Sequence, residues 1–171
     1  MSVVSNSSPL IFLSKVDELI DLSRKIYKNI IITEEVYKEV VEIGLLSEKP
    51  SIKGNALKIK QLDENGFIKT IKLKSEKLKK SLLGKLDIGE ASAICLALQE
   101  NIKEVLIDEK AATIAAKELG LKPIPISALP MIAFKKNMIK KEAAIKIIDK
   151  LLLENYYLSA ADYKRLIELL E

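Results

Sequence analysis

This chain has no histidine, no tryptophan and a single cysteine, Cys95. Without histidine a Ser-His-Asp mechanism cannot be assembled, and zinc sites of the Cys/His kind lack their ligands. One cysteine closes no disulfide within the chain. Set in an Ala/Leu/Ile helical pattern, Cys95 reads as a small buried apolar residue rather than a nucleophile. Aromatic residues make up only 5%, too few for a broad base-stacking platform. Arginine is confined to Arg24 and Arg165, so the positive charge is almost all lysine. No apolar run approaches the ~20 residues that span a bilayer. No basic segment precedes the short apolar run at the N-terminus, so neither a membrane span nor a secretory signal is expected, and a cytoplasmic location is. Chemistry in such a chain runs on carboxylates, hydroxyls, lysines or bound metal.

What is present fits a folded α/β protein. At 171 residues, 49% apolar and 30% charged, the chain is most simply one domain, residues 1–171, able to bury a core. The net charge of +4 and pI near 9.0 permit polyanion binding without demonstrating it. Strand-like and helix-like segments alternate. Residues 1–5 read as a strand, ended by Asn6-Ser7-Ser8-Pro9, where Ser7 or Ser8 can cap a helix and Pro9 suits its first turn. Residues 29–32 read as a buried strand, and Thr33 caps a helix through Glu42 with Gly44 beyond its end. Residues 47–55, with Pro50 and Gly54, read as a mobile loop before a helix over 56–64. Residues 67–73, 104–107 and 123–126 read as strands, and 75–83, 89–100 and 109–119 as helices. A helix follows Ser127, and residues 141–153 and 159–170 form a terminal helical pair around Asn155-Tyr156-Tyr157, with the tyrosines as its anchors. This alternation predicts a three-layer α/β/α sandwich on a central parallel sheet, with all strand C-termini on one edge.

That edge is where open α/β sheets bind ligands, and four oxygen-bearing residues are candidates for it. Asn6 follows the first strand. Glu39 flanks the Val36/Val40/Ile43 stripe. Glu90 sits in the first turn of a helix, and Asp108 ends the strand before the next one. Oxygen ligands of this kind suit Mg²⁺ or Mn²⁺, which can polarise a phosphodiester and activate water. Each residue also has a purely structural reading. Asp87-Ile88-Gly89-Glu90 has capping-box form, Asp108 could cap the following helix, Glu39 could be a solvated charge, and Asn6 a turn residue. Lys69, Lys72, Lys74, Lys77, Lys79, Lys80 and Lys85 are either a solvated face or a phosphate-contacting rim. Leu151, Leu152, Leu153 and Leu158 are either core or dimer surface. No glycine-rich phosphate loop follows a strand, which argues against a nucleotide-binding fold.

The chain resembles PIN-domain proteins, and among them VapC-type toxin ribonucleases. The resemblance is carried by Val3-Val4-Ser5-Asn6-Ser7-Ser8-Pro9-Leu10-Ile11, by Ile31-Ile32-Thr33-Glu34-Glu35-Val36-Tyr37-Lys38-Glu39-Val40, by Gly89-Glu90-Ala91-Ser92-Ala93-Ile94-Cys95-Leu96-Ala97-Leu98, by Leu106-Ile107-Asp108-Glu109-Lys110-Ala111 and by Ala115-Ala116-Lys117-Glu118-Leu119-Gly120. It implies a divalent-metal-dependent endoribonuclease using Mg²⁺ or Mn²⁺. Glu39, Glu90 and Asp108 would be the catalytic acids and, with Asn6 in place of the usual first Asp, the metal ligands. Ser8 and Lys110 are the implied substrate contacts. The resemblance also implies RNA as partner, a homodimer and, for a toxin, a small antitoxin. An amide at position 6 brings no negative charge, which weakens metal affinity; a non-catalytic PIN-like module that binds RNA or protein is the alternative.

Overall fold

Buried, β-branched runs build the centre of the sheet. β1 (Val3–Ser5) and β2 (Ile30–Thr33) are buried at every position, as strands are when helices cover both faces. The structure, a computed structural model, describes residues 1–170. Between β1 and β2 lie α1 (Ser7–Lys15) and α2 (Asp17–Ile26). Then come α3 (Glu34–Tyr37), a π-helical continuation (Lys38–Ile43), α4 (Pro50–Glu64) and β3 (Ile68–Ile71). They are followed by α5 (Lys77–Leu82), α6 (Ile88–Gln99), β4 (Glu104–Leu106), α7 (Lys110–Glu118) and β5 (Lys122–Ile124). A 3₁₀ turn (Ile126–Ala128) leads into α8 (Leu129–Lys135), and α9 (Lys141–Leu153) and α10 (Ala160–Glu168) complete the described chain.

The five strands lie in the order β3-β2-β1-β4-β5, and each neighbouring pair is parallel. The chain steps outward from β1 to β2 and β3, then returns beside β1 as β4 and continues outward to β5. The order therefore reverses at β1/β4, and a crevice opens beyond their C-terminal ends. Alternating side chains divide the interior into two cores. Val3, Ile30, Ile32, Ile68, Leu106 and Ile124 face the side covered by α1, α2, α4, α8 and α9. Val4, Ile31, Val105 and Ile107 face the side covered by α6 and α7. This is the expected three-layer sandwich. α9 and α10 form the expected terminal pair, packed through Met131, Ala144, Ile148 and Leu170. Among the described residues no helix is long and apolar enough to cross a membrane.

Three local expectations change. The segment 47–55 is largely helical, because Pro50 starts α4 in the first-turn position that tolerates it. Gly44 is right-handed helical, with φ −59°, so it is no left-handed cap. Its lack of a side chain serves close packing, since a Cβ there would stand 2.8 Å from Ala56 Cβ. Tyr156 anchors the terminal pair as expected, with its ring edge-on to Phe12 at 4.9 Å, but Tyr157 is 87% exposed.

Two glycines a short distance apart thus predict opposite outcomes. A Cβ at Gly54, inside α4, would meet nothing within 4 Å. Gly54→Ala should raise stability by up to about 1 kcal/mol through helix propensity. Gly44→Ala should lower it by about 1–2 kcal/mol, because overpacking outweighs the same gain. Urea unfolding of both variants beside wild type measures the two signs.

Candidate active site

Asn6 leaves β1 as the residue before α1 but does not cap it; its side chain makes no hydrogen bond to the helix. Instead Asn6 Nδ2 donates to Glu109 Oε2 across the strand-order reversal, at 3.0 Å. Asn6 is 3% exposed, and its Oδ1 is buried without a hydrogen-bond partner. An orphaned buried carbonyl oxygen is costly, and its natural complement is a donor or a cation. Next in the chain, Ser7 Oγ donates to Glu39 Oε2 at 2.6 Å, tying α1 to the π-helical segment that carries Glu39. Asn6, Ser7, Ser8, Ile11, Phe12, Glu39, Asp87 and Glu109 line one cavity of about 140 Å³.

α6 closes the far wall with a capping box. Glu90 N donates to Asp87 Oδ1 at 2.7 Å, and Asp87 N donates to Glu90 Oε2 at 3.1 Å, so the structural reading of Glu90 is realised. A cap does not exhaust its role. Glu90 is 6% exposed, and burial, reinforced by the negative charges of Asp87, Glu109 and Glu39, raises its pKa above the usual carboxylate value. Those three carboxylates therefore stand near enough to oppose a fourth charge. Gly89 lets them approach: a Cβ there would lie 3.2 Å from Glu39 Oε2 and 3.3 Å from Ser7 Oγ.

The cavity thus gathers Asn6, Ser8 and Glu39 of the expected residues, with Glu90 behind its wall. Asp108 does not line that cavity, and its Oδ2, like Asn6 Oδ1, is buried without a hydrogen-bond partner. Its Oδ1 accepts from Ile126 N at 2.9 Å and from Tyr156 O–H at 2.8 Å. Strand alternation is the reason: Leu106 faces the α8/α9 side and Ile107 the α6/α7 side, so Asp108 returns to α8/α9 and Glu109 turns back. The same alternation was the available signal for Glu109. Asp87 was visible only as a cap, and Ser7 only as a possible cap. Lys110 is exposed at the head of α7. Of the lysine cluster, Lys79 is 6% exposed and pairs with Glu35 and with Glu76. It is therefore a structural tie and not part of a rim, whereas Lys69, Lys72, Lys74, Lys77, Lys80 and Lys85 are exposed.

A family model described as DUF3368: PIN domain matches residues 2–171. The chain belongs to the PIN-domain family. PIN domains form a nuclease superfamily, are generally dependent on divalent metal ions, and carry an RNA-related function. No curated protein and no solved structure matches the chain.

The donor chemistry fits such an ion. Asn6 Oδ1 and the Glu39, Asp87, Glu90 and Glu109 carboxylates are hard oxygen donors. A divalent cation would offset the repulsion that adds to burial in raising the Glu90 pKa and would give Asn6 Oδ1 a partner. The acids are spread round the cavity wall: among the described residues no three His, Cys, Asp or Glu side chains stand together as a ready cage. A site of this kind suits an ion that keeps several of its waters.

Asp108 carries a pH signature of its own. Burial pushes its carboxyl up from 3.8 to about 6, against the hydrogen bonds from Ile126 N and Tyr156 O–H, which favour the charged form. Because the folded-state value is raised, the stabilisation is present below about pH 4 and is lost as pH rises through about 6. In EDTA, thermal melts of Asp108→Asn should gain on wild type across that window. The relative gain should be on the order of 3 kcal/mol at most. Parallel curves would assign the pH dependence to other groups.

Proposed function

We propose that this chain is a divalent-metal-dependent endoribonuclease, with Asn6, Glu39, Glu90 and Glu109 as the residues that would hold Mg²⁺ or Mn²⁺ and Asp87 at the rim. The observation that carries the reading is the buried, unpartnered Asn6 Oδ1 beside Glu109, in a cavity shared with Glu39. Such an ion would supply charge neutralisation at the phosphate and a lowered pKa for an attacking water. The protein's part is positioning. Ser7 fixes the Glu39 carboxylate, Asn6 fixes that of Glu109, and the capping box fixes Glu90. Ser8, on the cavity wall, is placed to orient water or the scissile phosphate. Asp108 supports the end of β4 beneath Glu109. A toxin role with a small antitoxin, and a homodimer, extend this proposal and rest on the family likeness.

A non-catalytic RNA- or protein-binding module is the second reading. It is favoured by the neutral amide at position 6 and by the engagement of Glu90 in its cap.

Cleavage of a generic single-stranded RNA with Mn²⁺ separates the two readings. Glu109→Gln should lose at least tenfold in rate, while Asp108→Asn should keep most of it. Equal rates in wild type and Glu109→Gln would remove the nuclease assignment. Asn6→Asp sharpens the test, because a carboxylate cannot donate to Glu109 as the amide does. Without metal this variant should melt lower than wild type, through like-charge repulsion. With Mn²⁺ it should bind the ion more tightly and cleave faster.

A further inference from the structure

A second, larger hollow adjoins the acidic cavity. About 790 Å³ in volume, it runs between α1, α4 and the α9–α10 joint, and its wall shares Ile11 and Glu39 with the acidic cavity. Ile11, Val40, Ile52 and Ile59 give it apolar surface, and Asn55 and Asn155 give it amides. Two ammonium groups are held at its side. Lys15 Nζ donates to Glu154 O at 3.1 Å, and Lys58 Nζ donates to Ser14 O at 3.1 Å and to Asp17 Oδ1 at 2.7 Å. Along α4 the wall is open, since a Cβ on Gly54 would meet nothing within 4 Å.

We infer that this groove is a nucleotide subsite: it holds the single-stranded RNA residue that flanks the scissile phosphate. The inference rests on the nuclease reading for its alignment with the acidic cavity, and four features support it. A phosphodiester seated among the acids must let its neighbouring nucleotide leave along an adjoining surface, and the groove begins at a wall of that cavity. Its volume falls in the range of roughly 300–1,000 Å³ typical of small-molecule pockets. Apolar floor and amide donors together suit a base, whose face is apolar and whose edges hydrogen-bond. The phosphates beside that base would meet Lys15 on α1, held by the Glu154 carbonyl at 3.1 Å, in competition with the Glu154 carboxylate 4.0 Å away. A base can enter such a groove only when splayed from its neighbours, so the subsite selects single strands over duplex.

Gly54→Trp tests this, with Gly54→Ala as the control. Neither touches a residue assigned to the metal or to the phosphate. With Mn²⁺, Gly54→Trp should raise KM for a single-stranded RNA oligonucleotide tenfold or more. It should leave hydrolysis of bis(p-nitrophenyl) phosphate, which needs only the acidic cavity, unchanged. Gly54→Ala should match wild type on both substrates. An unchanged KM for RNA in Gly54→Trp overturns the subsite. If wild type cleaves neither substrate, the nuclease reading fails on its own. The groove is then judged by fluorescence anisotropy of a labelled single-stranded RNA in EDTA. A loss of fivefold or more in affinity for Gly54→Trp, with Gly54→Ala unaffected, supports it. Equal affinity, or no binding by wild type, overturns it.

Discussion

Like charge packed into a small space is the constraint round which this end of the molecule is arranged. Glu39, Asp87 and Glu109 line one cavity and Glu90 lies buried behind it; burial first, and the three neighbouring charges after it, raise the Glu90 pKa. Each acid is held by a neutral donor rather than by a lysine. Ser7 holds Glu39, Asn6 holds Glu109, and backbone amides hold Asp87 and Glu90. Neutral donors orient carboxylates while leaving their charge uncancelled. The nearest well-buried lysine pair shows the contrast: Lys79 meets Glu35 and Glu76 and neutralises them locally. The desolvation cost falls mainly on Glu90, the buried member of the set, since Glu39 and Asp87 keep contact with solvent and Glu109 is half-buried.

The sheet supplies the means of concentration. Reversal of strand order at β1/β4 brings residue 6 beside residue 109, and the π-helical turn after α3 presents Glu39 to Ser7. Neither helix is continued through the crevice, so the first residues beyond each strand remain available to it. Asn6 forgoes the capping bond that an Asn in its position usually makes and spends its amide on the neighbouring strand instead. Glu109 likewise precedes α7 without capping it.

Much of this architecture was legible in the residues, because apolar alternation and helix starts are local signals. Thr33 does cap its helix, Asp87 and Glu90 do form a box, and the central strands are as buried as their β-branched runs predict. What depended on parity or on distant packing was not legible in the same way. Asp108 and Glu109 are adjacent acids, and a one-residue difference in where β4 ends decides which enters the crevice. Gly44 looked like a helix stop because the sequence does not reveal Ala56 pressing on it. Pro50 looked like a loop residue because a proline that breaks a helix and one that starts it are the same residue. The lysine run looked uniform because nothing nearby in sequence except Glu76 marks Lys79 for burial; Glu35 is far away along the chain.

The hydrogen bond from Asn6 to Glu109 joins residues 103 apart, and that from Lys15 to the Glu154 carbonyl joins residues 139 apart. Such long-range closures carry a larger loop-closure entropy cost than local contacts do. A chain still emerging from the ribosome can carry β1, α1 and α2 and yet have no acidic hollow until β4 arrives. Its adjoining groove stays open-sided until Glu154 and Asn155 are made. The acidic hollow therefore needs residues 6 to 109 folded together, whereas its adjoining groove needs the chain as far as residue 155.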